Sequence, residues 1–319
     1  MIIDDKKLEK RPEWSNRECN RWADFIELVC IKDKIATIDD ILDIWCDGDI
    51  DNSIDCGGGK HAEKVDSLYN DFTDYFGILS SREKFCSDYY PFEVNGKDCI
   101  RLHDILTDKH KIYIYLLLSS SIALMDRSTS NIYTTSFEKI CRLIMKQLFT
   151  DEAVVELFGT TRGTGVFEGT LRARIEKLAE CLGVTTTKRF DRNPNFDAIR
   201  GGDGGLDIFA YQPIDAAGPI PFSFAQCTCS YDKWIEKQNS IGEMRWKSYL
   251  EISIDYPQYM FVPFSCHDSK DKFYNETAIY TILVDRIRII RLIKKGRGAS
   301  FFEELSELTS CFDMDAIFT

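Results

Sequence analysis

The chain has no Cys-x-x-Cys pair, although it carries twelve cysteines, and these are scattered singly along its length. That scatter, with no secretory context, argues against a disulfide scaffold. The closest clusters, Cys227 with Cys229 and Cys266 with His267, lack the spacing of a zinc knuckle. Most cysteines, Cys30, Cys141 and Cys181 among them, stand in apolar segments and read as small hydrophobes. The opening MIIDDKKLEKRPEW offers no apolar stretch of the signal-peptide kind. The longest apolar run, residues 112–125, contains three serines and is shorter than the ~20 residues that cross a bilayer. It reads as a buried helix or strand. A soluble, cytoplasmic protein with no membrane partner is the expectation. A polybasic arm is also missing: the formal net charge is −12, with the acidic excess shared by both halves. Bulk attraction to nucleic acid is therefore excluded, while basic contacts confined to one groove are not. No internal repeat is evident.

What is present suffices for two domains of ordinary size: 319 residues, 44% hydrophobic and 29% charged. Residues 1–155 read as a mainly helical domain. Apolar positions Trp22, Phe25, Ile26 and Val29 line one face of a helix over 14–31, and 37–45 repeats the pattern with Thr37 or Asp39 as its cap. Helix-like stretches follow at 62–76 and 136–149, with a proline-broken segment at Tyr89-Tyr90-Pro91-Phe92 between them. Two motifs in this half fail on inspection. Asp47-Gly48-Asp49-Ile50-Asp51 has its glycine second rather than sixth, which a calcium loop does not allow. Gly57-Gly58-Gly59-Lys60 lacks the leading glycine of a phosphate loop and is followed by His61 instead of Ser or Thr.

Residues 156–319 change character to α/β. A helix over 167–182 ends at Gly183, strands are expected at 206–211, 221–228 and 258–264, and helices at 231–250 and 276–295. In the first strand Asp207, Phe209 and Tyr211 share a face; in the second, Phe222, Phe224, Gln226 and Thr228 do. If the two strands pair, a carboxylate and an amide converge at one end, and two such oxygens could bind Mg²⁺ completed by water and phosphate. Glu168, beside Phe167 at the start of the first helix, adds a third candidate oxygen. The bland reading makes Asp207 a turn cap, Gln226 a satisfier of backbone groups and Asp203 a loop residue.

The string GTGVFE, a helix ending LAECLG, then GGDGGLDI and FAQCT resembles the restriction-endonuclease-like, PD-(D/E)xK nuclease superfamily, most closely its Mrr-type members. The resemblance spans residues 160–295. It implies a core with a central mixed sheet flanked by helices, and a Mg²⁺- or Mn²⁺-dependent nuclease acting on DNA. It also implies that Glu168 is the helix glutamate, Asp207 the metal aspartate and Gln226 the second strand ligand. Thr228 stands where the family has its lysine. Lys233 or Lys237, flanking Trp234, is expected to supply the missing charge; otherwise the chain is a catalytically degenerate subunit that binds nucleic acid or a protein partner. A zinc-dependent hydrolase built on the cysteines is a third reading. A GGD-x-G-x-D strand and a QC strand followed by Trp and Lys are similar to those of bacterial phage-defence proteins, which implies a setting in antiviral defence.

Basic residues crowd 286–297, where Arg288, Arg291 and Lys295 share a helical face. They are the candidate grip on a phosphate backbone, with complementarity to the helix dipole as the plain alternative. For the amino-terminal domain the acidic balance and aromatics suit a protein partner, such as an ATPase or sensor, or self-association into a homo-oligomer.

Overall fold

The computed structural model describes residues 2–9, 12, 14–15, 18–47, 58–159, 167, 169–197, 204–215, 218–310 and 314–318. The chain divides into two compact units. One comprises Met1–Ser130, Phe264–Tyr274 and Thr309–Thr319; the other comprises Asn131–Pro263 and Asn275–Leu308. The sequence expectation placed the division at 155/156 and kept each part continuous. Two chain segments instead return to the first unit after the second has begun.

The first unit is built on the helices Cys19–Asp33, Ile38–Asp47, Gly58–Cys86 and Asp108–Ser120. A small antiparallel sheet accompanies them, with β1 (Ile35–Thr37), β3 (Cys99–Leu102) and β2 (Phe92–Asn95) in that spatial order. Trp22 organises an aromatic core, stacked on Tyr75 at 6.0 Å and tilted against Trp45 at 4.9 Å. The apolar run is the helix Asp108–Ser120, in which every residue from Ile112 to Ser120 is buried. A helix apolar on all sides belongs inside a protein. Thr107 and His110 cap its start reciprocally. Residues 48–57, which hold all but the first residue of the calcium-loop look-alike and the first glycine of the phosphate-loop look-alike, lie outside the described residues, whereas residues 58–60 begin the helix Gly58–Cys86 instead of a loop.

The second unit is a mixed five-stranded sheet flanked by helices. Its order is β4 (Val154–Leu157), β5 (Ile208–Tyr211), β6 (Phe222–Cys227), β7 (Gln258–Phe261), β8 (Ile282–Val284). The first three strands run antiparallel, and β6, β7 and β8 are parallel. All six residues of β6 are buried, as a central strand covered on both faces requires. On one face the helix Leu171–Leu182 sets Leu171, Ile175, Leu178 and Leu182 into a core with Phe209, Phe224 and Trp246. Thr170 caps its start, and Gly183, at φ +64°, ends it in the left-handed conformation that suits glycine. On the other face the buried Cys227 thiol neighbours Cys141 of the helix Arg127–Lys146.

Three expectations are corrected here. The stretch 231–250 is not one helix: Trp234–Lys237 and Glu243–Trp246 are separate turns, parted by the 3₁₀ turn Gln238–Ile241 and an extended Gly242. Tertiary bonds win over local propensity. The Gln238 side chain is buried and donates to the Ala278 carbonyl, and Trp246 Nε1 donates to the Ser240 carbonyl. The stretch 276–295 is likewise divided, into a 3₁₀ turn (Glu276–Ala278), β8 and the helix Arg286–Lys294. Asp285 starts that helix by accepting from the Arg288 amide at 3.1 Å. Finally, β4 and the helix Ala299–Thr309 have no counterpart in the sequence reading. Among the described residues no helix is long and apolar enough to cross a membrane.

Candidate functional site

Antiparallel pairing of β5 and β6 places Ile208 opposite Ala225 and Phe209 opposite Phe224. Continuing that register by one residue sets Asp207 beside Gln226, and the Asp207 amide donates to the Ala225 carbonyl at 3.0 Å. Both side chains are almost fully buried, at 4% and 5% exposure. Asp207 Oδ2 accepts from Gln226 Nε2 and from the Cys227 amide, the latter at 2.7 Å. Gln226 Nε2 also donates to the Cys227 carbonyl at 3.1 Å. A carboxylate oxygen and a main-chain carbonyl oxygen thus converge on one donor group.

The other end of the Gln226 amide meets Ser240. Ser240 Oγ lies 2.8 Å from Gln226 Oε1 and 2.6 Å from the Lys237 carbonyl. A hydroxyl has one hydrogen and cannot donate to both acceptors at once. Turning the amide over removes the conflict at Ser240: the nitrogen donates to Oγ, whose hydrogen is then free for the Lys237 carbonyl. That turn brings Oε1 toward Asp207 Oδ2 and the Cys227 carbonyl, three oxygens that only a cation or a proton could hold together. Only in that turned orientation would the three oxygens suit a hard divalent cation, which prefers oxygen donors and takes the rest of its shell from water and phosphate; with the amide as observed, Nε2 donates to both oxygens. Among the described residues no group of three or more His, Cys, Asp or Glu is placed to hold a metal ion. Glu168 and Asp203 lie outside the described residues.

The remaining expected site residues are placed as follows. Thr228 is buried; its amide donates to the Phe261 carbonyl and its hydroxyl accepts from the Ser230 amide at 3.2 Å, closing a turn. Lys233 is exposed, whereas Lys237 is half-buried on the turn that Ser240 ties to Gln226. Burial pushes the Cys229 thiol well above its ordinary range, and the Lys237 ammonium acts against that rise, which marks Lys237 as near the end of β6. Arg288 is half-buried, with Nη1 donating to the Leu283 carbonyl at 2.7 Å, and Arg286 is fully buried with Nε on the Pro263 carbonyl. Arg291 is half-buried and Lys295 exposed. The basic helix is therefore partly spent on holding its own strand and loop.

Sequence reasoning did not find Ser240 or the Cys227 carbonyl. The sequence signal closest to them was the run of glycines before Asp207; at Gly205, with φ +83°, an added Cβ would lie 2.5 Å from Ser240 Cβ. Comparison with protein-family models, with curated proteins and with solved structures gave no match.

Proposed function

We propose that the second unit is a divalent-metal-dependent nuclease that hydrolyses nucleic-acid phosphodiesters, with DNA as its substrate. The observation that carries this reading is the convergence of Asp207 Oδ2 and the Cys227 carbonyl on the Gln226 amide, buried at one end of two paired strands. The mixed sheet with a helix packed across the Asp207 face agrees with the core that the sequence resemblance implies. Asp207, Gln226 and the Cys227 carbonyl would hold Mg²⁺ or Mn²⁺, with Glu168 as a further ligand from the segment before the helix Leu171–Leu182. A cation there would supply Lewis acidity to the phosphoryl group and acidify the attacking water. Lys237 is our choice for the positive charge that Thr228 does not provide, because Ser240 links its turn to Gln226 and it is less exposed than Lys233. A place in bacterial defence against phage rests on the sequence resemblance alone.

Thr228 favours a second reading, a nuclease-fold subunit that binds nucleic acid or a protein without cutting. Its hydroxyl is committed to a turn, and no lysine occupies its position. Fold alone does not confer activity. Plasmid nicking with Mg²⁺ or Mn²⁺, with EDTA and Asp207→Asn as controls, separates the two. Metal-dependent nicking that disappears in the variant is the expected result. Absence of cleavage on DNA and RNA, in protein that melts cooperatively, would overturn the nuclease reading and leave the subunit.

A further inference from the structure

The second unit contains a cavity of about 430 Å³ that no motif in the chain announces. Its rim carries Arg189, Arg245, Met244, Asn193, Ser248 and Tyr249, with Phe190 beneath. Its construction is specific. The Thr187 amide donates to the Tyr249 carbonyl, Thr187 Oγ1 donates to the Ser248 carbonyl at 2.7 Å, and the Glu251 amide donates to the Thr185 carbonyl. These bonds lock two distant chain segments side by side. Arg172 completes the frame by lying over the Phe190 ring and donating to the Asn193 carbonyl at 2.8 Å.

The two rim arginines are exposed, and neither guanidinium has a hydrogen-bond or ion-pair partner among the described residues. The nearby acidic groups are directed elsewhere: Asp191 accepts from Thr186 Oγ1, and Glu243 and Asp255 both pair with Lys247. In a chain of net charge −12, two arginines at one cavity with no bonded partner among the described residues form a local concentration of positive charge. Met244 is 93% exposed beside them, a large apolar side chain with nothing covering it. A chain of contacts leads from the cavity wall to Gln226. Trp246, next to Arg245, packs against Tyr249 at 5.6 Å and donates to the Ser240 carbonyl, and Ser240 bonds Gln226.

We infer that this cavity is a phosphate-binding subsite for the nucleic-acid strand, gripped by Arg189 and Arg245, with Met244 and Tyr249 offering apolar surface to an adjoining base. Guanidinium groups suit phosphate because their donors match its oxygens in pairs. The choice of a nucleic acid as the ligand rests on the nuclease reading; the charge and shape of the cavity do not. The subsite differs from the expected grip at Arg288, Arg291 and Lys295, where Arg288 is already anchored.

The test is binding of a labelled oligonucleotide to the full chain in EDTA, read by fluorescence anisotropy over a series of salt concentrations. Arg189→Glu with Arg245→Glu is expected to weaken binding by ~10-fold or more and to lower the salt slope by about 1 for each lost phosphate contact. Met244→Ala is expected to weaken binding without changing the salt slope, and Arg291→Glu with Lys295→Glu tests the rival grip on the helix Arg286–Lys294. Unchanged affinity in the Arg189/Arg245 variant, loss confined to the helix variant, or no binding by the wild type would each overturn the inference. So would an AMP competitor that binds as tightly as the strand, which would make the cavity a mononucleotide site. Plasmid cleavage with Mg²⁺ is scored separately. A chain that cuts without needing these arginines refutes only the subsite, and one that binds through them without cutting refutes only the nuclease.

Discussion

Gly205 lies so close to Ser240 that a Cβ at 205 would stand 2.5 Å from Ser240 Cβ and 3.1 Å from its Oγ. Ser240 in turn touches Gln226, so the glycine-rich approach to β5 and the orientation of the Gln226 amide are one mechanical unit. Ser240→Ala is predicted to lower Mn²⁺ affinity and cleavage by about 10- to 100-fold, the usual effect of losing a group that orients a ligand. Gly205→Ala is predicted to do at least as much, since φ +83° also strains any residue with a side chain. Metal titration by thermal shift checks both. Wild-type Mn²⁺ dependence in Ser240→Ala would show that the hydroxyl does not orient the amide.

Lys237 and Lys233 give a second prediction, because the structure separates them. Lys237 is half-buried and its charge reaches Cys229 beyond the end of β6, while Lys233 is exposed. Removing a group that stabilises transition-state charge typically costs about 10²- to 10³-fold in rate. Lys237→Ala is therefore expected to lose that much kcat with DNA affinity little changed, and Lys233→Ala to cut normally. The reverse pattern in single-turnover cleavage would exchange their roles.

Legibility in the sequence follows what kind of interaction each feature depends on. Asp207 and Gln226 were visible because strand alternation assigns faces without any knowledge of the partner strand, and β5, β6 and β7 were visible for the same reason. Strand β4 is four residues long and takes its place by pairing with β5, which leaves little local trace. Strand β8 was hidden because Ile282–Val284 runs directly into the amphipathic helix Arg286–Lys294, and together they imitate one long periodic segment. The break within 231–250 depends on Gln238 and Trp246 bonding distant or neighbouring carbonyls, which no periodicity records. Ser240 and the Cys227 carbonyl are chemically ordinary until the fold places them. Arg189 and Arg245 are separated by more than fifty positions and meet only through the paired segments at Thr185–Thr187 and Tyr249–Glu251.

The first unit carries its own buried charge cluster, unrelated to the candidate site. Arg82 Nη1 lies 2.7 Å from Asp24 Oδ1 and 3.0 Å from Glu27 Oε1, and all three side chains are buried. Nη2 donates to the Asn20 carbonyl, Tyr90 and Tyr113 hydroxyls donate to Glu27, and Ser120 Oγ donates to Asp24. Removing Arg82 takes the guanidinium away from two buried carboxylates. Arg82→Ala is predicted to destabilise the protein by about 3–5 kcal/mol, the range for breaking a buried ion pair from one side. Arg82→Lys should cost less, since it keeps the charge but loses the fork. Urea unfolding followed by tryptophan fluorescence measures both, and equal midpoints for wild type and Arg82→Ala would deny the cluster any structural weight.

Four thiols and one phenol are held by burial in their protonated form. Burial pushes Cys30 from an ordinary 9.0 up to about 12, and raises Cys141, Cys227 and Cys229 in the same direction. The Tyr90 hydroxyl rises well above its ordinary 10.0, again chiefly through burial. In each case the fold favours the neutral, protonated form. The unfolded chain ionises first, so the stability these groups contribute is complete below about pH 9 and is lost as pH climbs through the folded values. One such proton corresponds to about 1.4 kcal/mol per pH unit within that window. Cys30 Sγ donates to the Ile100 carbonyl at 3.4 Å in a fully buried position, so Cys30→Val removes one titrating group in nearly the same volume. Urea midpoints taken between pH 7 and 11 should coincide in slope for the two proteins up to about pH 9 and then diverge, the wild type falling faster by that amount. Parallel decline above pH 9 would mean that Cys30 ionises as readily in the fold as in the unfolded chain, and would overturn the prediction.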